Sequence, residues 1–208
     1  MRATLLVQCV CFSALLIQPT WAENSKGYQL TIDGKQVGID VGDTLTVTTS
    51  DGKDIKVTLD RSKFVTASSE FVSFDHAGNL SVVKSDLGGG ISQYLLNTAL
   101  GTMVIVQEYK GMDPSSLSHL MIQQLTKESK QAGAKVEEIP TERQIDSGKK
   151  LKGLKATVNS KYDTINIEAV TYGNPDQGII VVTQIDQENE TTDGPMIDTF
   201  WKSLNINF

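Results

Sequence analysis

Gly88-Gly89-Gly90 sits between two apolar runs in KSDLGGGISQYLLNTALGTMVIVQEY, residues 84–109. Glycine-rich turns in such places can cradle phosphate on bare backbone amides. A P-loop needs Gly-Lys-Ser/Thr to reach the β/γ-phosphates and hold magnesium, and a dinucleotide turn needs Gly-x-Gly-x-x-Gly. Here Ile91, Ser92 and Gln93 follow, with no alternating βαβ pattern around them. The spacing predicts a turn or bulge, and the functional reading of Gly88, Gly89 and Gly90 is a loop bordering a groove.

Nucleophilic and metal chemistry have little material. The two cysteines, Cys9 and Cys11, lie in the apolar N-terminal segment, and no Gly-x-Ser-x-Gly elbow occurs. The two histidines, His76 and His119, are far apart in sequence, and neither has the i, i+4 histidine or paired cysteine of a zinc site. A serine hydrolase would need one of them set against a serine and a carboxylate. His119 reads as a helix-surface residue and His76 as a packing residue at a turn. The run DQENETTDG, 186–194, gathers Asp186, Glu188, Glu190 and Asp193. Oxygen ligands this dense can hold calcium, but the EF-hand pattern requires glycine at the sixth place and glutamate at the twelfth, here Thr191 and Ile197. The favoured reading is a solvated acidic loop leading into a helix capped by Asp193. No cofactor is expected.

Lys149, Lys150, Lys152 and Lys155, with Lys161 beyond them, form the one basic cluster of an acidic chain of net charge −6. Two readings stand together: a partner-docking patch, and an edge strand guarded against aggregation by lysine. The overall balance argues against nucleic acid, which needs basic surface, and against anionic lipid. Asn79-Leu-Ser81 and Asn189-Glu-Thr191 are glycosylation sequons, relevant only in a eukaryotic host.

The elements that must position these residues begin after a secretory signal. Arg2, the apolar run Leu5–Ile17 and Thr20-Trp21-Ala22 have its layout, with cleavage after about Ala22. The product is expected to be periplasmic or secreted, with no membrane span. Residues 23–66 read as a β-meander: Tyr28, Leu30, Ile32, then Val37, Ile39, Val41, then Leu45, Val47, then Ile55, Val57, Leu59, punctuated by Asp33-Gly34, Gly42-Asp43 and Asp51-Gly52. Residues 67–208 read as a second domain. Phe71, Phe74, Leu80 and Val82 suggest two short strands around Ala77-Gly78-Asn79, and 102–109 a strand, while 91–98 suits either helix or strand. A helix follows at 114–132, with Asp113 as cap, Leu117, Leu120, Met121 and Leu125 as apolar face, and Gly133 as stop. Strands are expected near 150–158, 163–172 and 178–185, the last apolar on both faces and so central. Gly173–Asp176 is the turn between the last two. A short helix with Met196, Ile197, Phe200, Trp201 and Leu204 on one face closes the chain.

FDHAGNLSV and DTFWKSLNI carry a resemblance across roughly 67–208. The first is similar to the entry segment Phe-x-Tyr-Pro-x-x-Trp-x-Val of the PsbP-like family, with Phe74 and Val82 matching and His76, Ala77 and Leu80 replacing Tyr, Pro and Trp. The second resembles the family's closing segment, with Phe200 or Ile197 in the aromatic place and Ser203-Leu204 in the final pair. The resemblance implies an α+β fold, a mainly antiparallel sheet with two packed helices, to which the N-terminal meander is added. It also implies a mostly non-catalytic binding or assembly role. No functional residue carries over. Three functions are therefore expected in order: an exported non-enzymatic binding or assembly protein whose partner is another envelope or secreted protein; a small-molecule or lipid carrier with its ligand between the sheet and helix 114–132; and a hydrolase of unrecognised type.

Overall fold

The computed structural model describes residues 26–208, so the segment read as a secretory signal lies outside the described residues. The chain divides into two units between Asp60 and Arg61. The first holds four strands, β1 (Tyr28–Ile32), β2 (Lys35–Ile39), β3 (Thr44–Thr48) and β4 (Asp54–Thr58). They pair as two antiparallel hairpins, β1 with β2 and β3 with β4. Asp33 and Gly34 both take positive φ, 49° and 79°, as a two-residue hairpin turn requires. The Asp33 carboxylate accepts from the Ser50 amide at 3.0 Å. That bond joins the two hairpin turns and holds the Asp33 carboxyl below its usual range. Ile39 and Val47 are the buried hydrophobics described in this unit.

In the second unit the strands are β5 (Phe64–Ser68), β6 (Val72–Ala77), β7 (Val82–Gly88), β8 (Ile91–Asn97), β9 (Met103–Lys110), β10 (Lys135–Gln144), β11 (Lys150–Asn159), β12 (Thr164–Asn174), β13 (Gln177–Asp186) and β14 (Asn205–Ile206). The helices are α1 (Leu117–Gln131) and α2 (Glu190–Ser203). Seven strands form one antiparallel sheet in the order β10-β11-β12-β13-β9-β8-β7, and β14-β6-β5 form a small second sheet. The α+β class with a mainly antiparallel sheet and two helices is thus as the sequence predicts. β13 is the central strand, and the ambiguous segment 91–98 is β8.

Alternation along the central strands sorts the core. Val170, Ile179 and Val181 pack with Phe74, Phe200 and Trp201, under α2 and the small sheet. Ala169, Ile180 and Val182 point the other way, against Ile122 of α1. Period-two side-chain direction makes one strand serve both cores. Phe200 is fully buried, with its ring 5.0 Å from those of Phe74 and Trp201. Burial of such a ring stabilises by about 2–3 kcal/mol.

Four expectations are corrected. β10 carries no strand signature in sequence, because KVEEIPTERQ is charged and contains Pro140. It is an edge strand, where proline and charge are tolerated. β11 with its lysines is therefore interior, and edge protection is not what those lysines supply. The buried face of α1 centres on Ile122 and Thr126, both fully buried, while Leu120 is 49% exposed. Leu120 lies about 160° around the helix from Ile122, and the Thr126 hydroxyl is satisfied by the Ile122 carbonyl at 2.8 Å. Asp113 accepts from the Ser115 amide at 2.9 Å, closing a turn ahead of α1 rather than capping it. The acidic run 186–193 is not a loop: Asp186 accepts from the Glu188 amide and starts a 3₁₀ turn at Gln187–Asn189, and α2 begins at Glu190. Asp193 lies inside its first turn, buried, and accepts from the Thr98 hydroxyl at 2.5 Å.

β5 likewise gives no clear strand signal, its residues being mostly exposed. It pairs along β6, and the strands β6 and β7, expected as neighbours around 77–79, belong to different sheets. β6 buries Val72, Phe74 and His76 on one side. The Ser203 hydroxyl of α2 accepts from the Asp75 amide at 2.8 Å and fixes the helix on this strand.

Candidate functional site

Side chains of β10–β13 that share the α2 side are not all covered by that helix. Beyond Ile197 they line a groove of about 450 Å³. Register explains its contents. Arg143 pairs with Leu151, and Leu154 with Ala169, so the alternation that sends Leu151 into the α2 core also sends Arg143, Lys155 and Glu168 to that side. Glu168 stands in the middle of β12 between Ile167 and Ala169, with its side chain 7% exposed. A buried carboxylate needs compensation. Arg143 donates from Nε at 2.9 Å and from Nη2 at 2.6 Å to Glu168 Oε2. Lys155 Nζ lies 3.8 Å from Glu168 Oε1. The Arg143 guanidinium in turn sits 4.4 Å from the Trp201 ring centroid, an arrangement that favours arginine over lysine.

The rest of the groove is mixed. Ile139 on β10 is 60% exposed at its rim, and Ile185 and Ile197 line it. A polar string crosses its far side: Thr157 donates to Asn166 Oδ1 at 3.3 Å, and Asn166 Nδ2 donates to Glu190 at 3.2 Å. The carboxylate of Glu168 is already spent on two cations, so it offers no spare base. What remains available is the half-exposed Lys155 ammonium beside an aliphatic rim. Those groups suit the acceptor oxygens and apolar side chains of a polypeptide.

The lysine cluster is dispersed by the fold. Lys155 alone of its members lines this groove. Lys150 pairs with Glu142 at 2.8 Å. It and Lys152 share the α1 side, by the same alternation. Lys149 donates to the Ile206 carbonyl at 2.8 Å and to the Phe208 carbonyl, and lies over the Tyr172 and Phe208 rings. Gly88, Gly89 and Gly90 form the exposed β7–β8 hairpin turn, all three at positive φ. His76 is buried, its Nδ1 3.0 Å from the Ala77 carbonyl. His119 is on the exposed side of α1, 3.2 Å from Glu138. The histidines therefore sit on different elements in different surroundings. Among the described residues, no three His, Cys, Asp or Glu side chains converge as a metal site.

The interface between α1 and the sheet is filled by Ile122, Met121 and Leu125 against Ala156, Val158, Ile167 and Ile180. A ligand held there, as the carrier reading expects, would have to displace this core. A separate cleft of about 690 Å³ lies at the start of α2, with Phe64 and Leu100 exposed on its rim.

No family model matches the chain, and no curated protein matches it in sequence. In structure it is similar to the solution structure of cyanobacterial PsbP (CyanoP) from Synechocystis sp. PCC 6803. The TM-score is 0.45 and the identity 13%, over 69% of this chain and 92% of that one.

Sequence reasoning missed Arg143 and Glu168 as a pair because they lie 25 residues apart. One signal was present. Glu168 is an acid in the middle of the apolar run TINIEAVTY, and charge in a buried strand calls for a partner.

Proposed function

We propose that this protein is an exported, non-enzymatic binding or assembly factor of the cell envelope, and that it holds a segment of another protein in the β10–β13 groove. The observation that carries the reading is the groove itself: a buried Glu168 fixed by Arg143 and Lys155, open to solvent beside the exposed Ile139. Its fixed charges, one carboxylate held between two cations, are suited to orienting a partner rather than to moving protons. Among the described residues no helix is long and apolar enough to cross a membrane, which accords with export behind the signal read at residues 1–22.

A photo-crosslinking amino acid at Ile139, in cells producing the full chain, is expected to trap a discrete partner. Lys155→Glu should weaken that adduct. The same probe at Lys127, on the exposed side of α1, is the control. If both positions give the same products, or Ile139 gives none, the groove is not a docking site.

A further inference from the structure

The seven-stranded sheet ends at β7, which among the described residues pairs with β8 alone. The outer edge of a sheet strand presents unpaired amide and carbonyl groups, and proteins ordinarily guard it with proline, charged side chains, bulges or a short run; on β7 the bulge lies at the end of the strand, at Leu87. β10, at the opposite end, is guarded in this way. Pro140 lacks an amide donor, and antiparallel pairing of two β10 strands about their midpoint would set Glu137 against Glu142 twice. β7 has no proline, and its sequence is self-complementary. In Val83-Lys84-Ser85-Asp86-Leu87, a two-fold axis at Ser85 sets Lys84 against Asp86 twice and Val83 against Leu87 twice.

We propose that β7 is a self-association edge, on which a second copy of this chain adds its own β7 antiparallel about Ser85. An isologous contact of this kind uses each interaction twice. Opposite charges and apolar residues placed directly across an antiparallel pair are the stabilising combinations. The exposures agree: Val83 and Leu87 are each 52% exposed, and pairing would give each an apolar neighbour. Lys84 lies over the Tyr94 ring at 5.2 Å, and one Asp86 oxygen accepts from the Gly88 amide at 2.8 Å. Both charges are thus held on the strand with bonding capacity left. The pairing shift between Asp86 and Gly88 skips Leu87, so the regular edge runs from Val82 to Asp86, and the contact centres on Ser85 and the two Lys84–Asp86 pairs with Val83 and Leu87 at its margins. So short an interface gives a weak, concentration-dependent dimer. This surface is separate from the groove of the previous section, and neither depends on the other.

Sedimentation velocity on the purified full chain, over a dilution series at low salt, tests it. The wild type should shift from monomer to dimer as concentration rises. Lys84→Asp places two aspartates opposite, and Asp86→Lys places two lysines opposite; each should weaken association by about tenfold or more. The double variant K84D/D86K restores opposite charges in reverse and should recover wild-type association. Thermal melts of each variant identify any that misfolds, and the double variant separates a pairing effect from a folding one. A wild type that stays monomeric throughout, single variants that associate as tightly as wild type, or a double variant as weak as the singles would each overturn the proposal.

Discussion

The two ends of the seven-stranded sheet solve the problem of an unpaired edge in opposite ways. At the β10 end the edge strand is polar, interrupted by Pro140, and tied down on both faces. Arg143 reaches Glu168 on the α2 side, and Glu138 meets Lys130 and His119 of α1 on the other, at 3.3 and 3.2 Å. At the β7 end the strand has no proline, its two charges are of opposite sign, and its large apolar side chains, Val83 and Leu87, are half exposed. Closing an edge to backbone pairing leaves side chains as the means of recognition, and the groove with Arg143, Lys155 and Ile139 lies at that closed end. Leaving an edge open makes the backbone itself available. On the two proposals above, the sheet would keep two modes of contact apart by its full width.

The largest effect that would break this contrast is at Glu168. Glu168→Ala removes a buried carboxylate and leaves Arg143 and Lys155 facing each other without compensation. The expected loss is about 3 kcal/mol, at the lower end for broken buried pairs because Arg143 retains some solvent contact. Lys84→Ala at the open end should change stability by less than about 0.5 kcal/mol, as for ordinary surface sites. Urea denaturation of the two variants measures both. Equal losses at the two ends would show that the β10 end is not specially anchored.

Next in size is a pair of glycines. Gly178, at the start of β13, faces Pro114: a Cβ there would stand 2.2 Å from Pro114 Cδ and 2.7 Å from Cγ. A proline ring cannot swing aside, so Gly178→Ala forces backbone movement where the segment leading into α1 meets the β12–β13 hairpin. The expected cost is about 2 kcal/mol. Gly89 in the β7–β8 turn has φ +62° and nothing within 4 Å of a built Cβ. Gly89→Ala should cost about 1 kcal/mol, from left-handed strain alone. Thermal midpoints rank the two. A larger loss at Gly89 would mean that the triple glycine makes contacts beyond a turn.

How far the sequence reveals this arrangement depends on which physical signal each element carries. β13 is legible because GIIVVTQI is apolar on both sides, as a strand between two cores must be. The β1–β2 hairpin is legible from Asp33-Gly34. The start of α2 is read late because Asp193 looks like a cap yet lies inside the helix, and of the expected α1 face Leu117, Met121 and Leu125 do pack on the core, while Leu120 is exposed and the fully buried Ile122 and Thr126 go unread because Thr126 is polar. β10 carries the opposite of a strand signature, and its identity comes from its neighbour: Leu151, Ala156 and Val158 of β11 are buried, which an edge position would not provide. The groove follows from β10, so what hides the strand hides the site. Only Lys155 of the basic cluster reaches that groove, because neighbours in sequence alternate across the sheet.

The smallest expected effect sharpens the contrast through pH. On β10 and β11, Lys150 holds the Glu142 carboxyl below its usual value of 4.5, chiefly by hydrogen bonding. Glu142 raises the Lys150 ammonium above 10.5 for the same reason. A depressed carboxyl contributes stability that is present above its unfolded value and lost as pH falls through its folded one. A raised ammonium contributes below its unfolded value and loses that contribution as pH rises through its folded one. The pair's contribution should thus be level from about pH 5 to 10 and decline outside those limits, and, since both side chains are exposed, be small and diminished by salt. The pH profile of Glu142→Gln compared with wild type reads it directly: the two curves should draw together below pH 4. Curves that stay parallel into acid would mean that the carboxylate charge of Glu142 contributes nothing to holding the guarded edge.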